Sequence, residues 1–180
     1  MKKILFVLLI LMSFYSNAQE TEFTFTAEKG MTDFIVAPIE GKTAPKIYKK
    51  VIEWIKVTYK NPDKEILSNI ENEYIRFEGL SETLYSNLPA KYQIEILIKD
   101  GKYKFDLISM QCRPLTEWMD TPIFNKPMIK EDLEKRYVFK KDGTLRGDYK
   151  FADKIPTYFN NLNKSLSESI VSTVKKTDGW

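Results

Sequence analysis

The stretch YQIEILIKDGKYKFDLIS, residues 92–109, decides the fold. Its first half alternates apolar and polar residues, which is the pattern of a strand with one buried face. Asp100-Gly101 follows and predicts a type I′ turn, in which both central residues need positive φ. Leu97, Ile108 and Met110 are predicted to lie on the opposite face of this hairpin from the main apolar set. That set is Tyr92, Ile94, Ile96, Ile98, Tyr103, Phe105 and Leu107.

Two more strands are predicted just before this hairpin. Residues 65–71 and 73–80 are separated by almost nothing, which predicts a tight hairpin around Asn72. Residues 81–90 are polar and are predicted to form a loop that leads to Tyr92.

Two amphipathic helices flank the four strands. The first is predicted to begin at Thr43, with Pro45 in its first turn, and to end before Asn61. The second is predicted to follow Pro156 and to run to about Lys176. Apolar residues recur at helical spacing in both, and we interpret them, Trp54 included, as core residues. They are Ile47, Val51, Trp54 and Ile55 in the first helix, and Phe159, Leu162, Leu166, Ile170 and Val174 in the second.

The remaining segments give weaker patterns. Residues 22–27 alternate like a half-buried strand, and residues 34–36 predict either a second short strand or an extended loop. Periodicity is lost over residues 113–153, which predicts an irregular excursion. Within it we expect one or two helical turns at 130–136 and a turn at Asp142-Gly143.

The order of these elements predicts the fold class. We expect an α+β domain of two layers, with an antiparallel sheet of about five strands and two helices on one face, in the order β-α-β-β-β-β-α. Residues 19–180 are expected to form this single domain. The sheet face without helices is then wet or available to a partner.

Residues 1–18 have the three parts of a cleavable signal peptide. Lys2 and Lys3 precede an apolar run from Ile4 to Met12, and small residues follow up to Ala18. The run is about half the roughly 20 residues that cross a membrane. We therefore expect cleavage before residue 19, a periplasmic or secreted protein, and no membrane span in the mature chain. No cysteine near the cleavage point is available for a lipid anchor.

Charge and composition exclude several functions. Cleavage lowers the 28 basic residues by two, against 25 acidic residues, so the net charge falls to about +1. This argues against nucleic acid as a partner, and the aromatic residues and lysines of 92–105 are explained by ordinary strand composition. The absence of histidine excludes Ser-His-Asp triads, Cys-His pairs and histidine-ligated zinc. Cys112 stands alone and is interpreted as a small buried apolar residue at a strand end.

Five short motifs have simpler explanations than function. Residues 172–175 match the Ser-x-x-Lys pattern of serine acyl enzymes but lie near a helix end instead of a helix start. Residues 146–148 read Arg-Gly-Asp beside a turn, where turn chemistry favours Gly and Asp. Asn163 begins a glycosylation pattern inside the last helix. The acidic pair Glu71 and Glu73 and the acidic cluster at 131–134 lack the spacing of a calcium loop.

These residues together resemble a known family. A signal peptide that ends Asn-Ala-Gln at 17–19, a helix with Glu53-Trp54 and the strand pair of 94–104 are similar to exported Bacteroidota proteins of a domain of unknown function with a TBP-like (TATA-binding-protein-like) fold. The resemblance covers residues 44–112, and Asp178-Gly179-Trp180 is similar to the usual ending of the family. It implies the same order of elements and a periplasmic or secreted location. It implies no activity and no functional residues, because a fold does not determine a function.

Three functional hypotheses follow. The first, which we favour, is a non-enzymatic binding module that holds a protein, peptide or envelope ligand on the exposed sheet face or on the 113–153 excursion. The second is a hydrolase-type enzyme that uses carboxylates or a lysine, and the third is a structural component of the envelope. We predict no catalytic, cofactor-binding or metal-ligating residues and no cofactor.

Overall fold

A computed structural model describes residues 20–85, 88–112, 121–125 and 138–172. The predicted signal peptide and the helical turns predicted at 130–136 lie outside these ranges. The strands are β1 (Phe25–Thr26), β2 (Gly30–Met31), β3 (Phe34–Pro38), β4 (Ile66–Ile70), β5 (Tyr74–Tyr85), β6 (Leu88–Lys99), β7 (Lys102–Cys112) and β8 (Thr121–Asn125). The helices are α1 (Ala44–Thr58), the one-turn α2 (Pro62–Glu65), a 3₁₀ helix (Gly147–Asp153) and α3 (Lys154–Val171).

The main sheet is antiparallel and has the order β3-β7-β6-β5-β4. The prediction of about five strands with two helices in an α+β fold is confirmed. β8 adds a short sixth strand, which pairs with the end of β7 beside β3. The excursion therefore contains regular structure that its sequence did not predict: a strand at 121–125 and a 3₁₀ helix before α3.

The first strand of the main sheet is β3 and not the predicted strand at 22–27. β3 pairs with β7, with Ile35 opposite Phe105. Of residues 22–27 only Phe25–Thr26 are in a strand, and they pair with β2 in a separate two-stranded sheet. Asn160 on α3 accepts a hydrogen bond from the Phe23 N–H (2.7 Å) and donates one to the Phe23 C=O (3.0 Å). These bonds occupy the N–H and C=O groups of Phe23. The two groups are therefore not available for pairing with a strand of the main sheet.

Both predicted hairpin turns are present, but one differs in detail. Asn72 has a φ of 66° and is the one non-glycine residue in the described ranges with positive φ. At the second turn only Gly101 has positive φ (74°), so the type I′ prediction for Asp100-Gly101 is wrong. The Asp142-Gly143 turn is confirmed, with a φ of 81° at Gly143 and a bridge between Phe139 and Leu145.

The prediction of a loop at residues 81–90 is wrong, because β5 and β6 continue through most of this segment. Ser81 pairs with Ala90, and Tyr85 pairs with Leu88. The polar composition misled the prediction, because strand formation here depends on pairing between the two segments and not on the composition of one of them.

A β-bulge in β7 overturns the predicted position of Met110. Gln93 pairs with Ser109 and Ile94 with Leu107, so Ile108 is an extra residue. Because an extra residue reverses which face the following side chains occupy, Met110 is fully buried instead of sharing the face of Leu97.

The two long helices pack side by side on one face of the sheet, as predicted. The predicted core stripe of α1 is buried, and Trp54 also donates a hydrogen bond from Nε1 to Ser165 Oγ on α3 (3.1 Å). α3 begins at Lys154 and ends at Val171, which is shorter than the predicted end at Lys176. Val171 and Ser172 are exposed, so packing no longer supports the helix beyond the buried Ile170. No helix within the described ranges is long and apolar enough to cross a membrane.

Candidate functional site

The candidate site is the outer face, which we define as the face of the main sheet opposite α1 and α3. Cross-strand pairing arranges its side chains in rows that run from β4 to β3. Charged and apolar residues both occur in these rows, and most are partly or fully exposed. The outer face includes Ser68 and Ile70 of β4, Tyr74, Arg76, Glu78 and Leu80 of β5, Lys91, Glu95 and Leu97 of β6, Lys104 and Asp106 of β7, and Phe34 of β3.

Several charges of the outer face neutralise one another. Three basic side chains in its rows each contact a carboxylate of the same or the neighbouring strand, whereas the exposed Lys99 and Lys102, which lie opposite each other, take part in none of the ion pairs within the described residues. The pairs are Arg76 Nη2 with Glu95 Oε2 (2.6 Å), Lys104 Nζ with Asp106 Oδ2 (2.8 Å) and Lys91 Nζ with Glu78 Oε1 (2.9 Å). Around these three pairs the outer face therefore presents no block of one charge sign that would attract a polyanion.

Two of these cations also cover aromatic rings. Lys104 Nζ lies 4.2 Å from the ring centre of Phe34, and the Arg76 guanidinium lies 5.8 Å from that of Tyr74. Both distances are in the range of cation–π attraction. The cations occupy the ring faces that a stacking ligand would need.

An exposed apolar row crosses the outer face at one end. Ile70 pairs with Tyr74, and Tyr74 pairs with Leu97, so the three side chains are neighbours on β4, β5 and β6. Ile70 is 57% exposed and Leu97 is 37% exposed. The Tyr74 hydroxyl is hydrogen-bonded to Ser68 Oγ (2.9 Å), which fixes the ring beside them. A small apolar patch with a paired polar rim is the usual composition of a protein-binding surface.

The interior contains a chain of three tyrosine hydroxyls that the sequence did not predict. The Tyr92 hydroxyl is 3.2 Å from that of Tyr59 and 2.9 Å from that of Tyr158, so these buried groups satisfy one another. Burial raises the pKa values of Tyr59 and Tyr92 above the usual 10.0. Both phenols are therefore neutral at physiological pH, and a general base would need a pKa shifted in the opposite direction. We interpret the cluster as structural.

Tyr92 also explains the buried Gly79 opposite it on β5. The Tyr92 ring lies directly against the Gly79 backbone. A Cβ built on Gly79 lies 2.5 Å from Tyr92 Cε2 and from its hydroxyl oxygen, which is too close for any side chain. Glycine is therefore required here for space, and the sequence pattern of one strand does not reveal this.

Open hollows lined by described residues also lie outside the sheet face. One, of about 540 Å³, lies between α1 and the β4–β5 turn and brings Tyr48, Lys49, Glu53 and Glu71 together. The Tyr48 hydroxyl donates a hydrogen bond to Asn69 Oδ1 (3.0 Å), and burial and the Glu71 charge raise its pKa. The Tyr48 phenol is therefore protonated and already forms a hydrogen bond, so it does not act as a base. The other hollow, of about 440 Å³, lies between the β1 region and the turn at Gly143.

The Arg-Gly-Asp and glycosylation motifs have structural partners. The Arg146 side chain donates a hydrogen bond from Nε to the Phe139 C=O (3.2 Å), and Gly147 begins the 3₁₀ helix. Asn163 lies within α3, and its Oδ1 accepts a hydrogen bond from the Tyr103 hydroxyl (2.7 Å). Both motifs therefore serve the fold.

The structure does not bring the remaining candidate residues of the sequence analysis together into one site. Cys112 is the last residue of β7, and the described side chains do not include it. Ser172 follows α3, whereas Lys175 and the acidic residues of 131–134 lie outside the described ranges. Glu71 and Glu73 flank the Asn72 turn. Within the described ranges, no three residues of the His, Cys, Asp and Glu types form a group that can hold a metal ion.

Comparisons with known proteins identify the fold. No protein-family model and no curated protein match the chain. A crystal structure of a DUF4468 family protein from Bacteroides ovatus is similar, with 14% identity and a TM-score of 0.63 over 81% of this chain and 89% of that one. A TBP-like protein from Parabacteroides distasonis has 17% identity and a TM-score of 0.54 over 76% of this chain and 90% of that one. The chain therefore has the TBP-like α+β fold of these Bacteroidota proteins, as its sequence resemblance implied.

Proposed function

We propose that this protein is an exported, non-enzymatic binding module that holds a protein, peptide or envelope ligand against its outer sheet face. The apolar row of Ile70, Tyr74 and Leu97 is the observation that carries the proposal. Ile70 and Leu97 stay exposed and Tyr74 is half-buried, although α1 and α3 already cover the other face of the sheet. Export is supported by the signal-peptide pattern of residues 1–18.

The paired charges around this row favour binding over catalysis. Ion pairs such as Arg76–Glu95 satisfy the charged groups that an enzyme would use on substrate. The converging hydroxyls of Tyr59, Tyr92 and Tyr158 are hydrogen-bonded to one another, and burial raises the pKa values of Tyr59 and Tyr92, so these two phenols stay protonated and are not bases. The outer face thus combines an apolar row at one end with neighbouring charged groups that are ion-paired.

Affinity enrichment with matched variants tests the proposal. Tagged wild-type protein, Leu97→Glu and Val57→Glu are expressed with the signal sequence, recovered under identical conditions and compared by quantitative mass spectrometry. Leu97 lies in the apolar row, whereas Val57 is an 88% exposed residue of α1 on the opposite layer. A buried charge at the centre of an interface is expected to reduce recovery of a specific partner by about tenfold or more.

The Val57→Glu control separates this effect from general surface change. We expect it to recover the same partner at wild-type levels. Equal recovery with Leu97→Glu and wild type, or equal loss with both variants, would contradict use of the outer face.

A further inference from the structure

Two lysines flank the tight turn between β6 and β7 and lie opposite each other on the outer face. Lys99 is the last residue of β6, Lys102 is the first residue of β7, and the two form a cross-strand pair. Their neighbours Ile98 and Tyr103 are 5% and 1% exposed and belong to the core. Because successive side chains of a strand alternate between faces, both lysines point to the outer face, where they are exposed.

No opposite charge balances this lysine pair, by which we mean Lys99 and Lys102. Neither residue takes part in an ion pair within the described residues, whereas Arg76, Lys91 and Lys104 of the same face each contact a carboxylate. Like charges directly opposite each other in an antiparallel sheet are destabilising, because their Cβ atoms are only about 5 Å apart. The fold therefore keeps a repulsive pair on an exposed surface.

The carboxylates closest to the lysine pair along the chain and across the strands face other groups. Asp100, in the turn itself, accepts a hydrogen bond from the first backbone N–H of α1 (2.7 Å). Glu71 lines the hollow beside α1, and Glu73 shares the strand alternation of the buried Ile75, so both belong to the helix side of the sheet. Glu40 forms none of the ion pairs within the described residues. The lysine pair is therefore open to an acidic group from outside.

Backbone hydrogen bonds hold the turn that carries the lysine pair. The Gly101 N–H donates to the Lys42 C=O (2.9 Å), and the Gly101 C=O accepts from the Ile39 N–H (2.7 Å). Together with the Asp100 bond to α1, these bonds fix the turn against the segment between β3 and α1. A backbone that is already fixed loses less conformational freedom when a ligand binds.

The lysine pair borders the apolar row of the proposed binding surface. Lys99 lies two residues after Leu97 on the same face of β6, a separation of about 7 Å along the strand. Because Lys102 lies opposite Lys99, the pair forms the cross-strand row next to the apolar row. A partner that covers the apolar row therefore reaches two unpaired ammonium groups at its border.

The number of free charges limits the class of partner. Anionic membranes are typically bound by clusters of about 4–8 basic residues, and the outer face offers two that are unpaired at this end. On the other side of the apolar row lie the carboxylates of Glu95 and Asp106, each in an ion pair, and they would repel an anion that spreads across the face. One or two carboxylates beside an apolar side chain match this arrangement better.

We propose that the lysine pair binds an acidic segment of a partner protein, with an aspartate or glutamate carboxylate between Lys99 and Lys102 and an apolar side chain of the same segment on the apolar row. The carboxylate offsets the repulsion between the two ammonium groups, since opposite charges at this distance attract. The inference rests on the proposed function, because it uses the same face, and it names the chemistry of the partner.

Two capped peptides test the inference by NMR titration of the mature protein. The first alternates glutamate and leucine, and the second has glutamine in place of each glutamate. We expect the glutamate peptide to move the amide signals of Leu97, Lys99 and Lys102 and to bind about fivefold more tightly than the glutamine peptide. Added salt is expected to remove most of this difference.

Paired variants locate the effect. A variant with Lys99→Gln and Lys102→Gln removes both charges, and we expect it to bind the two peptides equally. The matched control, with Lys140→Gln and Lys141→Gln, removes two exposed lysines beside the Gly143 turn and is expected to bind like wild type. The urea midpoint of the first variant is expected to equal or exceed that of wild type, because the repulsion within the lysine pair is removed.

Several results would overturn the inference. They are equal affinity of wild type for both peptides, no binding of the glutamate peptide, equal loss of binding in the control variant, and a lower urea midpoint of the Lys99→Gln, Lys102→Gln variant, which would show that the lysines stabilise the fold. Binding to phosphatidylglycerol vesicles that depends on the lysine pair, without binding of the glutamate peptide, would assign the pair to a membrane instead. If partner recovery still depends on Leu97 in any of these cases, the proposed function stands without the lysine contact.

Discussion

Replacing Gly79 by alanine is predicted to destabilise the protein strongly, because Tyr92 occupies the space of the new methyl group. The added Cβ would lie 2.5 Å from two atoms of the Tyr92 side chain. Tyr92 is 1% exposed, and its ring packs against those of Tyr158 and Phe159. The ring must therefore shift, and its hydroxyl must weaken its hydrogen bonds to Tyr59 and Tyr158.

The size of the effect follows from these contacts. Overpacking of a core costs about 2 kcal/mol, and each weakened buried hydrogen bond costs about 1 kcal/mol. The lower entropy of the unfolded alanine chain offsets about 0.5 kcal/mol. We expect the free energy of unfolding to fall by about 3.5 kcal/mol, which corresponds to a Tm lower by about 10 °C.

Urea denaturation followed by far-UV circular dichroism measures this change. Gly147→Ala is the matched control, since no atom lies within 4 Å of the Cβ that it adds, and we expect it to change stability by less than about 0.5 kcal/mol. A Gly79→Ala variant as stable as wild type would refute the packing argument for Tyr92 and Gly79.

Three further predictions concern pH, the N-terminal segment and export. Burial raises the pKa values of Tyr59, Tyr92 and Tyr103 in the folded state above the usual 10.0, so the folded state retains protons that the unfolded chain loses. The contribution of these three tyrosines to the free energy of unfolding is complete below about pH 10 and is lost above it. Urea midpoints that stay constant from about pH 9 to pH 11 would contradict this. Asn160→Ala removes both hydrogen bonds to the Phe23 backbone. We therefore expect the free energy of unfolding to fall by about 1–2 kcal/mol and the Phe23 amide to exchange its hydrogen faster. Unchanged exchange at Phe23 would show that other contacts hold the segment. Intact mass of the exported protein is expected to place the mature N-terminus at Gln19, and recovery of the uncleaved chain would disprove the cleavage prediction.

The sequence predicted the elements whose signal is local. The 92–107 alternation, the Asn72 turn and the apolar stripes of α1 and α3 each lie within one segment, and each is present in the structure. A stripe reports which face is buried without reference to any other segment. The α+β class followed from the order of these elements.

Features that depend on pairing between segments were missed. The bulge at Ile108 is defined only by its register against Gln93 and Ile94, so β7 by itself gave no sign that Met110 turns inward. The continuation of β5 and β6 through 81–90 depends on each strand supporting the other. β8 likewise exists because β7 offers it an edge.

The candidate surface was predicted as a location but not as a set of residues. A two-layer fold with both helices on one face implies an exposed sheet face, which the sequence established. The row formed by Ile70, Tyr74 and Leu97 depends on the registers of three strands. The hydroxyl contacts of Tyr92 with Tyr59 and Tyr158 join residues 33 and 66 positions apart, which no short pattern encodes.

Site-specific photo-crosslinking in living cells tests the central claim, that the outer face holds a partner. A photoreactive amino acid replaces Leu97 on the outer face or, as the control, the exposed Val57 on α1. We expect a discrete crosslinked species from position 97 that is absent from position 57. No crosslink from position 97, or the same products from both positions, would contradict it.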